Sequence, residues 1–287
     1  MQLLAPAKIN LSFQIKGRRA DGFHEIETLM APIALADRLM IERAGDDDQI
    51  HFSLDDPSLP GGDDNLVVRA AKLFRETTKV AGGITISLEK KIPHGAGLGG
   101  GSSDAASTLL GLNELFETRL AQEDLLKLAA QLGSDVPFFV VRSAAICRGR
   151  GEVVSPVSLK PNFHLLLLKP DFGVPTPWAY GRWKESRELP GIDYSPQEFR
   201  ALRFVNDLEK PVFEKFVSLA RLKTWLREQP EAAVALMSGS GSTVFAVLHD
   251  GADAEALASR ACKQIDPTLW TCATQLSSST SLPRTRD

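Results

Sequence analysis

An α+β chain in two domains is what this sequence predicts, and three observations predict it. Stretches with an apolar period of two alternate along the chain with stretches of period 3.6, so strands and helices are interleaved. A glycine-rich loop joins one such strand to a helix. Composition shifts near Lys160-Pro161-Asn162, which divides the 287 residues into 1–160 and 161–275, with a serine-rich tail at 276–287 predicted to be disordered.

Residues 8–15 alternate strictly. Ile9, Leu11, Phe13 and Ile15 share one face, and Lys8, Asn10, Ser12 and Gln14 the other, as in a half-buried strand. Taken alone, Lys8 reads as the solvated end of that strand. Asp21-Gly22 marks a turn, and Phe23-His24-Glu25-Ile26 leads into the next strand. Strands are expected at 38–43 and 49–54, around a solvated Asp46-Asp47-Asp48 loop with no metal-ligand pattern. Past a loop at 60–64, Asn65 is placed to cap a helix whose Val67, Ala70, Ala71 and Phe74 recur at helical spacing.

The next strand, 84–89, runs into Pro93-His94-Gly95-Ala96-Gly97-Leu98-Gly99-Gly100-Gly101-Ser102-Ser103, with five glycines between 95 and 101. A helix follows over 105–112, with Ser102 or Ser103 expected as its cap. Glycine lets backbone N–H groups converge and a ligand approach closely. A helix N-terminus adds unpaired donors and partial positive charge, so the junction suits phosphate. A P-loop would need lysine after its last glycine, and Ser102 stands there. Gly95, Gly97 and Gly100 fit a dinucleotide fingerprint, but no second strand leads to an acidic residue at the required distance. A nucleotide-phosphate cradle of another kind remains.

A helix is expected at 122–132, stopped by Gly133. Asp135, two residues before Pro137, reads on its own as an N-cap. Short strands follow at 144–147 and 152–157, about an Arg148-Gly149-Arg150-Gly151 turn. In the second half, the continuous apolar run 163–168 is a strand buried on both faces. A helix opens after the proline-rich stretch around Pro175-Thr176-Pro177. Further helices are expected at 196–203, 207–217, 218–228 and 252–263, and strands at 234–237, 243–248 and 269–274. Ser238-Gly239-Ser240-Gly241-Ser242 is either a tight hairpin or a second small-residue loop able to lie against phosphates.

The net charge of −3 offers no general attraction to nucleic acid or an anionic membrane. Three cysteines without Cys-x-x-Cys spacing read as reduced thiols of a cytoplasmic protein, and the five histidines are scattered, without a zinc motif. No apolar run is long enough to span a membrane, and the first ten residues lack a signal peptide's basic region.

Five blocks in order, Pro6 to Leu11, Ala20 to His24, Gly95 to Ser103, Gly133 to Pro137 and Pro175-Thr176-Pro177, resemble the GHMP small-molecule kinases. Within that family they are similar to the branch that acts on a cytidyl-diphosphate polyol in isoprenoid precursor synthesis. The resemblance implies an N-terminal domain like ribosomal protein S5 domain 2, a C-terminal α/β sandwich typical of GHMP kinases, and a site in the cleft between them. It implies ATP as phosphoryl donor, held by the backbone of 93–103, with Mg²⁺ bridging its phosphates and no ligand beyond Ser103 or a nearby water suggested. Lys8 and Asp135 become the catalytic pair. Phe23 and Tyr180 would stack on cytosine, His24 would bond its edge, and Asn10 and Thr176 would hold polar parts of the substrate. The family usually has tyrosine where Phe23 stands, which keeps the stacking and removes a hydroxyl contact. His94 receives no side-chain role. The expected partner is the small-molecule substrate alone, with the chain a monomer or weak homodimer. A mevalonate- or homoserine-type kinase is disfavoured by the Gly22-Phe23-His24 and Pro175-Thr176-Pro177 blocks. A nucleotide-binding sensor without catalysis is disfavoured by the presence of both Lys8 and Asp135.

Overall fold

The computed structural model describes residues 1–45, 48–159 and 162–277. Asp46 and Asp47 of the acidic loop, Lys160 and Pro161 of the expected boundary, and the tail from 278 on lie outside the described residues.

Two long strands come first. β1 (Gln2–Arg18) and β2 (His24–Ala44) form an antiparallel hairpin around the Asp21-Gly22 turn, where Gly22 adopts a left-handed φ of +88°. Both run further than alternation alone suggests, because register shifts beyond Pro6, Asn10 and Ile15 absorb the breaks in pattern. β3 (Ile50–Leu54) is followed by α1 (Leu66–Thr78), whose cap is the expected one: Asn65 Oδ1 accepts from the Val67 N–H at 2.9 Å. β4 (Gly83–Glu89) leads through the glycine loop into α2 (Gly100–Leu115). Then come α3 (Gln122–Leu132), the short α4 (Val136–Val141), β5 (Ala145–Gly149) and β6 (Val153–Pro156).

The second half runs β7 (His164–Lys169), α5 (Thr176–Arg182), β8 (Gln197–Phe199), β9 (Leu202–Asn206), α6 (Glu209–Lys215) and α7 (Val217–Arg227). It closes with β10 (Ala232–Met237), β11 (Val244–Leu248), α8 (Ala254–Gln264) and β12 (Trp270–Gln275). One element differs in kind from expectation. Instead of a helix over 196–203, β8 and β9 form a hairpin whose turn holds Arg200 and Ala201 at φ 49° and 62°. Tertiary pairing overrides local propensity here. The Gln197 side chain exchanges hydrogen bonds with the Ala235 backbone at 2.7 and 3.1 Å, and β9 lies parallel to β1 through Ser12–Val205.

The first sheet has the path β3-β4-β2-β1-β9-β8, with β5 and β6 branching from β2; the second is β10-β11-β7-β12. Helices α1 to α4 pack on the first sheet, burying Phe74, Leu109, Leu112 and Phe138. β7 explains its unbroken apolar sequence: Leu166 and Leu168 join the core beneath α6 to α8, while Leu165 and Leu167 meet Ile9 and Leu11 of β1. The two sheets thus share a core, and β1 passes through the seam between them. At the end of the described chain, Leu276 bridges Ile33, and the Ser277 N–H donates to Pro32 O.

Candidate active site

The cradle's shape follows from three alternate residues. Gly95, Gly97 and Gly99 take φ values of +63°, +73° and +72°, a region where a side chain is strained. Gly99 is itself the N-cap of α2, which displaces the expected Ser102 or Ser103 cap by one turn; both serines lie inside the helix's first turn. A left-handed residue reverses the chain sharply enough for the helix to begin at Gly100, so no serine side chain is needed to start it. The first N–H groups of α2 have no intrahelical acceptor and face the cleft carrying His94 and Gly101.

Packing on the protein side also demands glycine. A Cβ on Gly97 would lie 2.2 Å from Ser238 O and 2.9 Å from Gly241 O. One on Gly99 would lie 2.8 Å from the Phe139 ring. The loop is clamped from both halves of the chain. The Lys8 N–H donates to Leu98 O at 2.9 Å, the Thr243 N–H to Ala96 O at 3.2 Å, and Ser238 Oγ to Gly97 O at 3.0 Å. Residues 238–242 form the expected tight hairpin, linking the antiparallel β10 and β11, and this turn also lies against the glycine loop on the cradle's flank.

Lys8 is no solvated strand end; it is 4% exposed. Its ammonium donates to Asn10 Oδ1 at 2.7 Å and to Gly97 O at 2.9 Å, and stands 3.7 Å from Asp135 Oδ2. Burial pushes the Lys8 pKa down, and the Asp135 carboxylate opposes that shift. Asp135 directly precedes α4, where a cap was expected, yet its side chain makes no capping bond. At 3.7 Å the ammonium attracts the carboxylate without hydrogen-bonding to it, so Asp135 keeps acceptor capacity toward the cleft. Asn10 is buried, and its amide joins Lys8 to Thr28, so its side chain contacts the protein's own site residues first.

Two cavities meet at Asp135. One, of about 470 Å³, runs along the glycine loop past Asn65, Lys90 and His94. The other, of about 740 Å³, is walled by Phe23, His24 and Tyr180, with Arg18, Arg150 and Lys184 around it. Ser102, Asp135, Thr176 and Tyr180 line both. The His24 and Tyr180 rings lie 5.3 Å apart at 32°, and Trp183 meets His24 edge-on at 5.9 Å. Phe23 is 52% exposed, with the Arg150 guanidinium 4.9 Å over its ring. Burial, aided by Arg18 and Lys184, lowers the His24 pKa, which favours a neutral imidazole able to donate and accept. Burial raises the Tyr180 phenol, with Asp135 adding to the effect, so it stays protonated. Thr176 Oγ1 lies 2.8 Å from Ser240 Oγ, tying this wall to the 238–242 loop.

Several residues escaped the sequence reading. Lys90 bridges Asp37 and Asp104 at the base of the glycine loop, with Asp104 at 2.7 Å. Burial raises Asp104 to about 7 despite the ammonium beside it, and the two carboxylates raise Lys90. Lys90-Lys91 after a strand carries no distinguishing pattern. Arg150 had a signal, the charged glycine turn at 148–151, whereas Trp183 and Thr28 had none.

A glycine loop at a helix N-terminus, a lysine–aspartate pair at its mouth and a second cavity beyond are the arrangement expected of a small-molecule kinase. The model of the GHMP kinases N terminal domain matches residues 65–143 and that of the GHMP kinases C terminal domain residues 195–266, and the chain belongs to this family. More particularly, it is 46% identical over 244 residues to the 4-diphosphocytidyl-2-C-methyl-D-erythritol kinase of Methylacidiphilum infernorum, covering 85% of this chain and 84% of that one. The same kinase of Lachnoclostridium phytofermentans is 39% identical over 269 residues, with 89% and 90% covered. A crystal structure of 4-(cytidine 5'-diphospho)-2C-methyl-D-erythritol kinase superposes with a TM-score of 0.77 at 38% identity, covering 96% of this chain and all of that one. The homoserine kinase of Cytophaga hutchinsonii shares the fold, with a TM-score of 0.68 at 19% identity.

Proposed function

We propose that this protein transfers the γ-phosphoryl group of ATP to the 2-hydroxyl of 4-diphosphocytidyl-2-C-methyl-D-erythritol, a step of the non-mevalonate route to isoprenoid precursors. The observation that carries this reading is the meeting of the two cavities at Asp135, three to four ångströms from a buried ammonium. Phosphoryl transfer asks for positioning and charge stabilisation more than covalent help. The backbone of 93–103 and the N-terminus of α2 hold the triphosphate. Asp135 accepts the hydrogen bond of the attacking hydroxyl, orients it and takes its proton as transfer proceeds. Lys8 offsets the charge that gathers between nucleophile and phosphorus.

Mg²⁺ is the cation such chemistry uses, and it binds through phosphate oxygens, waters and few protein ligands. Ser103 Oγ, buried in the first turn of α2, is one of the side-chain oxygens there without a hydrogen-bond partner and would hold it. Bound there, the cation would neutralise triphosphate charge.

On the acceptor side, Phe23 and Tyr180 flank the cytosine, neutral His24 pairs with its edge, and Thr176 holds a polar group of the substrate. Asn10 serves that side through Lys8. In this reading residues 1–160 are the ATP-binding domain and 161–275 the second domain, which lends β8 and β9 to the first sheet. The enzyme works in the cytoplasm as a monomer or weak homodimer. A coupled ADP-release assay tests the proposal: turnover with the cytidyl substrate and none with mevalonate or homoserine is expected. Preference for either of those alcohols would overturn it.

A further inference from the structure

We propose that Thr28 is a positioning residue for the reacting centre: its hydroxyl sets the orientation of the Asn10 amide, and that amide holds Lys8 against Asp135. The inference rests on the reading of Lys8 given above.

The hydrogen bonds have one consistent direction. Thr28, on β2 and 1% exposed, donates its single hydroxyl hydrogen to Ser12 O at 2.6 Å. Toward Asn10 it can therefore only accept, and it accepts from Nδ2 at 2.8 Å. The amide is then fixed with Oδ1 toward Lys8, where it receives the ammonium at 2.7 Å. The opposite rotamer would set an NH₂ group against a buried –NH₃⁺, donor against donor. Ser12, the far end of the chain, stands at a register shift between β1 and β2. The bulge thus carries the polar relay across the hairpin to the site.

Charge makes this orientation matter. The groups facing Lys8 come from five segments: Asn10 on β1, Gly97 O in the glycine loop, Asp135 before α4, Cys147 on β5 and Gly239 in the 238–242 loop. Burial holds the Cys147 thiol neutral, raised to about 12. Asp135 is thus the anion beside the ammonium and stands beyond hydrogen-bond distance, so two neutral oxygens supply its hydrogen-bond acceptors. Loss of one acceptor's orientation removes a large share of what keeps the lysine both charged and aimed.

The test compares Thr28→Val, which keeps the shape and removes the hydroxyl, with Thr28→Ser and Lys8→Ala, each checked for folding and nucleotide affinity. For Thr28→Val, kcat is expected to fall roughly tenfold while both KM values stay within about twofold. The basic limb of its kcat–pH profile should move to lower pH, because a mis-set amide no longer stabilises the ammonium. Thr28→Ser should restore both. A Thr28→Val enzyme with wild-type kcat, or one that loses only thermal stability with an unmoved basic limb, would overturn the proposal while Lys8→Ala remains inactive. Turnover surviving Lys8→Ala would overturn the reading of Lys8 itself, and the role of Thr28 with it.

Discussion

Lys8 and Asp135 illustrate how two ordinary side chains gain chemistry from their surroundings. The lysine is desolvated, anchored by two neutral oxygens and close to one carboxylate; the aspartate is left with lone pairs toward the cleft. Replacement of Asp135 by asparagine preserves shape and removes the proposed base. It should lower kcat by about 10² to 10⁴ while ATP titration shows little change in affinity. The pH dependence has a definite sign. Burial depresses the Lys8 pKa, so its ammonium is lost at a lower pH than a free lysine would require. Activity that needs this charge should therefore decline on the alkaline side before pH 10.5, seen as a basic limb in the kcat–pH profile of the unaltered enzyme.

At the scale of elements, the glycine loop depends on what lies beneath it. Asp104, in the first turns of α2, and Asp37, on β2, share Lys90, which follows β4. Asp37 also accepts the N–H groups of Lys91 and Ile92 as the chain enters the loop. Three elements are thereby locked at the base of the glycine loop. Replacing Lys90 by methionine would leave two buried carboxylates without their cation. A loss of roughly 3–5 kcal/mol in chemical denaturation is expected. A carboxylate with a raised pKa favours the folded state at lower pH. Without the ammonium that lowers its pKa, Asp104 should take up its proton above the value of about 7 that it has beside Lys90, so the deficit should shrink as pH falls toward that value.

Across the whole molecule, the active site is a junction. β1 carries Lys8 through the seam between the two sheets, and the 238–242 loop reaches over to clamp Gly97. That loop is held in turn by Asn206, whose amide donates to Met237 O and Gly239 O at 2.7 Å each, and by Glu209, which accepts from the Met237 N–H. Gly97→Ala would drive a Cβ into Ser238 O across this junction. The expected outcome is a lower unfolding temperature together with a collapse of turnover, measured on the same preparation, because the residue that must shift, Gly97, also carries the carbonyl to which Lys8 donates. A variant as stable and active as wild type would show that the two loops do not act as one.

Local chemistry that stands close in sequence was legible from the residues alone. The strand–glycine–helix order, the alternation of β1, the Asn65 cap and the doubly buried β7 each follow from patterns a few residues long, since their causes are local sterics and amphipathic periodicity. Ordered motifs in separate blocks were enough to point to the kinase family. What had no local cause could not be read: the β8–β9 hairpin made by pairing with β1, the Lys90 bridge, and the relay from Ser12 through Thr28 and Asn10 to Lys8. Each joins residues whose proximity exists only after the sheets have paired and packed. From its residues alone the chain can be seen to hold a glycine-rich loop, a strand lysine and an aspartate ahead of a proline. Tertiary structure alone decided which of them are dry, which are aimed, and which face one another, because desolvation and hydrogen-bond direction are properties of the packed chain.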